Sequence, residues 1–143
     1  MSTDDEPSEP QEPYVPVVGI GASAGGLEAL RHMLSGIPDN SGMAFVIVQH
    51  LDPQRPSMMA ELLARSTRMR TTQLVEDTVV EPDVVYCLRP GWHVQLEAQH
   101  LRLLKPEAPR GHRLPVDGFF ASLAEARGEQ AMAVVLSGTG SDG

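Results

Sequence analysis

Three residues of this 143-residue chain carry the groups that turn an alcohol into a nucleophile: Ser23, His50 and Asp142. An imidazole can take the hydroxyl proton. A carboxylate can fix the imidazole tautomer and stabilise its charged form. Ser23 stands in Gly21-Ala22-Ser23-Ala24-Gly25-Gly26. Those glycines let the backbone turn sharply and let a substrate approach closely. Amides at the start of the following helix, near Ala24 and Gly25, would face a developing oxyanion, with the helix dipole assisting. Gly138 and Gly140 give the loop ahead of Asp142 similar freedom. Its amides, that of Thr139 included, are further candidates for holding the oxyanion.

Groups so distant in sequence must be brought together by buried elements. Val15–Ile20 is a β-branched run closed by glycines and is expected to be a buried strand. Leu27, Leu30, Met33 and Leu34 repeat at helical spacing until Gly36 and Pro38. Ala44–Gln49 is a second buried strand. Beyond Pro53 and Pro56, Ser57 is expected to cap a helix with Met58, Leu62 and Leu63 on one side. Thr71–Glu76, Val84–Leu88, His93–Leu96 and Leu101–Leu104 are expected as short strands, forming in part a small antiparallel hairpin region. Val116, Phe119, Phe120, Leu123 and Ala124 mark an amphipathic helix ending near Gly128. Ala131–Leu136 is the last strand. Apolar strands alternating with helices predict an α/β fold: a mainly parallel, doubly wound sheet covered on both faces, a three-layer α/β/α sandwich. In such a sheet functional groups gather at the carboxyl ends of the strands. Ser23 follows the first buried strand, His50 ends the second, and Asp142 follows the last.

Other readings of the same residues stay open. Gly19-Ile-Gly-Ala-Ser-Ala-Gly25 also fits a dinucleotide-binding turn, in which the helix start holds a pyrophosphate. That reading asks for an acidic residue at the end of the second strand, where this chain has Gln49-His50-Leu51. The order Ser, His, Asp differs from the α/β-hydrolase order of Ser, Asp or Glu, His. Asp142 alone could be a turn residue. His32 is expected on the solvent side of its helix and His100 in a hairpin. His93 and His112 could face the cleft. No histidine pair has close zinc spacing, so no metal is expected. Cys87, the single cysteine, lies in an apolar run and is expected to be a buried structural thiol.

Composition bounds the partners. The net charge is −8, which argues against nucleic acid and against an anionic membrane. Asp4, Asp5, Glu6, Glu9 and Glu12 supply five of those charges, leaving about −3 from residue 17 onward. Together with Pro7, Pro10 and Pro13 they predict a disordered acidic tail over 1–14, ahead of a catalytic domain over 15–143. Apolar residues make up 41% and aromatics only 4%, so the core must be mostly aliphatic. No apolar run approaches the roughly 20 residues that span a bilayer, and the start lacks a secretion signal. A cytoplasmic location is the expectation.

Val18–Gly26, Val48–Leu51, Tyr86–His93, His112–Asp117 and Leu136–Gly143, in this order, resemble the catalytic domain of the CheB chemoreceptor protein-glutamate methylesterases. The resemblance implies hydrolysis of γ-glutamyl methyl esters on chemoreceptor cytoplasmic domains, deamidation of certain glutamines, and no cofactor. It maps the family triad onto Ser23, His50 and Asp142, and a further active-site histidine onto His112. Where the family commonly has Thr after the nucleophile this chain has Ala24; Thr139 stands for a common Met and Pro115 for a usual Ser. The family's N-terminal receiver domain has only the acidic tail in its place. That arrangement resembles the esterase module of CheB–CheR fusions, which implies a fused or separate methyltransferase partner. The family domain continues beyond the Asp142 loop, so the domain is expected to be incomplete at its C-terminus. A catalytically inactive, esterase-like binding module is the alternative.

Overall fold

The computed structural model describes residues 14–22, 26–49, 58–105 and 115–136. In chain order the elements are β1 (Val17–Ala22), α1 (Leu27–Ser35), β2 (Ala44–Gln49), α2 (Met59–Leu63), β3 (Arg70–Leu74) and β4 (Thr78–Val79). They continue with β5 (Val84–Leu88), β6 (His93–Glu97), β7 (His100–Leu104), α3 (Pro115–Arg127), a 3-10 turn (Gly128–Gln130) and β8 (Met132–Leu136). Five strands form one parallel sheet in the order β3-β5-β2-β1-β8. The other three form a small antiparallel sheet, β4-β7-β6.

The central strands β1, β2 and β5 are buried along their whole length. This is why they are continuous apolar runs and not alternating ones. Alternate residues serve two cores. Ile20, Phe45, Ile47, Val85 and Cys87 pack with Leu30 and Leu34 of α1 and Leu63 of α2 on one face. Val17, Val46, Val48, Tyr86 and Leu88 pack with Phe119 and Leu123 of α3 on the other. Val94, Leu96 and Leu101 of the small sheet join that second core. The layers are therefore helices, sheet, and α3 flanked by the small antiparallel sheet, as the apolar pattern predicts.

Gly19 sets the closeness of α3. A Cβ there would lie 2.7 Å from Cε2 of Phe119 and 3.1 Å from both Leu123 Cδ2 and Phe120 Cε1. Phe119 is fully buried and has nowhere to retreat. Packing thus accounts for the first glycine of the Gly-rich run. On its other side α3 meets β6, where the Ser122 hydroxyl accepts the Leu96 N–H at 3.0 Å and donates to the Phe119 carbonyl at 2.8 Å. The register is pinned at the amino edge of the sheet. Ala44 N–H donates to the Pro16 carbonyl and Asp83 N–H to the Met43 carbonyl. Gly42 N–H donates to the Asp83 carboxylate at 2.8 Å.

Several expectations shift. β1 runs to Ala22, not Ile20, because β2 and β8 both offer ladder partners to its last residues. Met58, expected on the packed side of the second helix, is 61% exposed and forms that helix's N-terminal boundary. Ser57 lies outside the described residues. β3 stops at Leu74, where its pairing with Leu88 ends. Both β3 and β5 belong to the parallel sheet, leaving β4, β6 and β7 as the antiparallel region.

Cys87 is buried. Burial, and secondarily the charge of Glu61, push its thiol up from an ordinary 9.0 to about 12. The folded state therefore favours the neutral thiol. That contribution is complete below about pH 9 and is lost as pH rises towards 12. Native protein should thus resist a thiol-specific disulfide reagent at pH 8 and react once unfolded in urea; fast native labelling would contradict the burial. Gly19→Val should lower stability by about 1–3 kcal/mol through overpacking, read as a drop in urea midpoint at constant slope. Gly118→Ala, whose new Cβ meets nothing within 4 Å in mid-helix, should raise it by about 0.5–1 kcal/mol.

Candidate active site

The three strand ends that precede the candidate triad are neighbours. Ala22, the last residue of β1, is in register with Gln49 of β2 on one side and Leu136 of β8 on the other. Adjacent strands lie about 4.8 Å apart, so the three ends form one short row. The chain winds in opposite directions about β1. One crossover, through α1, leads to β2 on one side; the return through α3 delivers β8 to the other side and covers the opposite face. β1 is therefore the topological switch strand, whose carboxyl end is where open α/β sheets bind ligands. Gln49 itself is buried.

Ser23, Ala24, Gly25, His50, His112, Thr139 and Asp142 lie outside the described residues. In sequence Ser23 directly follows Ala22, His50 directly follows Gln49, and Asp142 comes six positions after Leu136. What the structure brings together is the row of three strand ends.

Two helices start towards this row. α1 begins just beyond β1, after a buried Gly26 whose carbonyl accepts the Leu30 N–H at 2.9 Å. Among the described residues no side chain caps this helix start. Its first-turn amides, which lack intrahelical acceptors, carry the positive end of the helix dipole. The direction of α3 follows from its other end. Arg127, its last residue, donates to the Val15 carbonyl at 3.2 Å, at the amino edge of β1. Thirteen helical residues rise about 18 Å, close to the length of the six-residue β1. The start of α3, Pro115, is thus on the carboxyl side of the sheet, and His112 stands three positions earlier in sequence.

β5 adds a fourth strand end beside β2. Ile47 is in register with Cys87, so Arg89 lies at the level of Gln49. Arg89-Pro90-Gly91-Trp92 is a tight turn: Gly91 has φ +85°, and Trp92 N–H donates to the Arg89 carbonyl at 3.2 Å. Proline second and a left-handed glycine third are what a type II turn requires. The Arg89 guanidinium carbon sits 4.5 Å from the centre of the Trp92 ring. His93 follows, half-buried at the start of β6. His32 and His100 are exposed, as expected, away from this end. The type of Arg89 alone gives no sign of this placement; the available signal is a Pro-Gly turn directly after an apolar strand.

A cleft of about 460 Å³ lies elsewhere, between the carboxyl end of α1 and the α2–β3 link, lined by Leu34, Asp39, Arg65 and Arg68 among others. Being at the amino edge, it is remote from the row of strand ends. Among the described residues no three His, Cys, Asp or Glu side chains are grouped as metal ligands would be. Among the same residues no helix is long and apolar enough to cross a membrane.

The chain is similar to proteins named protein-glutamate methylesterase/protein-glutamine glutaminase. One from Chromohalobacter salexigens is 37% identical over 131 residues, covering 89% of this chain and 37% of that protein. One from Caulobacter vibrioides is 35% identical, covering 89% and 38%. An uncharacterised 104.1 kDa protein of Rhodobacter capsulatus is 46% identical over 85 residues, covering 59% of this chain and 9% of that protein. The chain thus spans well under half the length of these relatives. The fold is similar to the crystal structure of the Thermotoga maritima CheB methylesterase catalytic domain, with a TM-score of 0.75 at 27% identity, covering 90% of this chain and 70% of that one. The family described as CheB methylesterase matches residues 18–143, a span that includes all but the first residue of the switch strand and all three residues of the candidate triad, and the chain belongs to it.

Proposed function

We propose that this chain carries serine-esterase chemistry and demethylates γ-glutamyl methyl esters on chemoreceptor cytoplasmic domains. The observation that carries the reading is the register of Leu136, Ala22 and Gln49 at the carboxyl end of the switch strand. Each of these strand ends feeds a segment bearing one member of a Ser23, His50, Asp142 triad. The names of the relatives supply the substrate class.

In this mechanism His50 takes the Ser23 proton as the Ser23 oxygen bonds to the ester carbonyl carbon. The resulting oxyanion is held by amides near Ala24 and Gly25 at the start of α1, and by the loop containing Thr139. Asp142 orients His50 and stabilises its charged form. Collapse breaks the carbon–oxygen bond to the methoxy group, which takes the proton from His50 and leaves as methanol. Water, deprotonated by His50, then attacks the acyl-enzyme; Ser23 recovers its proton and a glutamate carboxylate is released. A glutamine substrate follows the same path with ammonia as leaving group. The resemblance also assigns a place in the active site to His112, three positions ahead of α3 in sequence. No step calls on a metal or cofactor. The esters come from a methyltransferase, fused or separate, and the reaction is cytoplasmic.

A binding module without activity is the competing reading, favoured by the exposure of β8 beside the switch strand: Val135 is 70% exposed. A fluorophosphonate probe separates the two. Labelling that disappears in Ser23→Ala supports the esterase; an unlabelled protein that still binds methylated receptor supports the module. Methanol release from methylated receptor should fall at least about 10³-fold in Ser23→Ala and in His50→Ala. The double variant should lose no more than either single one, because the two residues act as a unit. Equal rates in the parent and Ser23→Ala would overturn the proposal.

A further inference from the structure

We propose that Arg89, stacked on Trp92 at the carboxyl end of β5, is a recognition site for carboxylates that flank the scissile ester in the protein substrate. The inference rests on the esterase reading for its substrate and on separate geometry for its site.

Position comes first. β5 is the strand beyond β2, so Arg89 lies one strand spacing from the chain leading to His50 and two from the chain leading to Ser23. Those spacings are about 5 Å and about 10 Å. Side chains one helical turn away from an esterified glutamate, on the same face of a helical substrate, are separated from it by about 5–6 Å at Cβ. A carboxylate there would come within reach of the guanidinium when the ester occupies the reaction centre.

Preorganisation comes second. The Pro90-Gly91 turn leaves Arg89 little backbone freedom. Trp92 is half-buried and packs against the core shared with α3. It therefore offers Arg89 a fixed platform. With its carbon held over the ring at 4.5 Å, the guanidinium has no hydrogen-bond partner among the described residues, and its planar fork suits a carboxylate side-on.

Charge comes third. Among the described residues no carboxylate pairs with Arg89. The acids on the next strand segment are Glu76 and Asp77, and the Asp77 carboxylate already accepts the Leu103 N–H at 2.8 Å. Arg31, Arg70 and Arg102 are engaged with Glu28, Glu81 and Glu97. Arg65 and Arg68 line the amino-edge cleft, and Arg127 is buried at the amino edge. Lys105, exposed just past Leu104, the register partner of His93, adds a second positive charge near the same corner. Among the described residues of a chain of net charge −8, this corner is where an acidic substrate segment meets attraction near the strand-end row.

Two synthetic helical peptides test the site, each with one γ-methyl glutamyl ester. One carries glutamates three and four positions away; the other carries serines there. The full chain should prefer the acidic peptide in kcat/KM by about threefold to tenfold, chiefly through KM, with the preference shrinking at 0.5 M salt. In Arg89→Gln the ratio should fall to about one. Arg89→Lys keeps the charge without the planar fork and should fall between. Arg102→Gln, on the far hairpin, should keep the parent ratio. Trp92 is the only tryptophan, so its emission gives a second readout that does not need turnover. The acidic peptide should shift that emission in the parent and in Ser23→Ala, and not in Arg89→Gln. Hydrolysis of both peptides at equal kcat/KM with no emission change overturns the Arg89 site and leaves the esterase standing. An Arg89-dependent emission change without hydrolysis overturns the esterase and leaves the carboxylate site. Neither signal overturns both.

Discussion

Much of this molecule follows from β1 having parallel partners on both sides and a core on both faces. From Val18 to Ala22 this strand has a ladder partner on each side. Slipping either neighbour by one residue would turn its side chains to the wrong core. The doubled register therefore fixes where three strands end relative to one another, to within a fraction of a residue step. Gly19 extends the constraint into the third dimension, because the closeness of Phe119 sets the height of α3 over the sheet. The row of strand ends is thus a product of core packing, made by residues that themselves do no chemistry.

The opposite edge of the sheet sets where α3 lies along its axis. Arg127 is 92% buried yet charged, and it donates to two backbone carbonyls, those of Ala98 at 2.9 Å and Val15 at 3.2 Å. Its guanidinium also lies over the Tyr14 ring at 4.6 Å. Burial lowers its proton affinity below the ordinary arginine value, with Tyr14 acting in the opposite direction. Gln99 completes the tie: its side chain accepts the Val15 N–H at 3.0 Å, and its carbonyl accepts the Val80 N–H at 2.8 Å. One end of α3, the β6–β7 hairpin and the lead-in to β1 are therefore a single clamped unit. Because helix and strand have similar lengths, clamping the amino edge also determines where α3 starts at the carboxyl side.

What the sequence disclosed divides along the same physical lines. Strands buried on both faces are legible: Ala44–Gln49 and Val84–Leu88 have the bounds their apolar runs predict. The three strand ends could be recognised because buried parallel strands stop where glycines and polar residues begin. Arg70–Leu74 is harder, since an edge strand of Arg, Thr, Thr, Gln and Leu carries little apolar signal and is ordered by its pairing with β5. The two-residue β4 owes its existence to β7 alone. Met58 misleads because an exposed methionine and a buried one look alike in a periodic pattern. Arg127 is the clearest case of a buried role invisible to composition: arginine at a helix end is ordinarily solvated, and only the tertiary arrival of two carbonyls makes it structural. Arg89 is similar, because its significance depends on which strand lies next to β2.

The members of the candidate triad rest on supports of unequal strength. β1 and β2 are interior strands, buried throughout. Among the described residues β8 pairs with β1 alone and stands at the sheet's edge, with Met132 40% and Val135 70% exposed. Local opening free energy tracks burial and protected hydrogen bonds, so β8 is the element of the row most readily displaced. Its displacement would move the Asp142 segment and leave the chain leading to Ser23 and His50 in register. The triad hierarchy matches that order, since the carboxylate acts on the imidazole and not on the substrate. In the proposed triad a shift of β8 would therefore act through the orientation of His50, while the Arg89 corner, carried by the interior strand β5, keeps its register with β2.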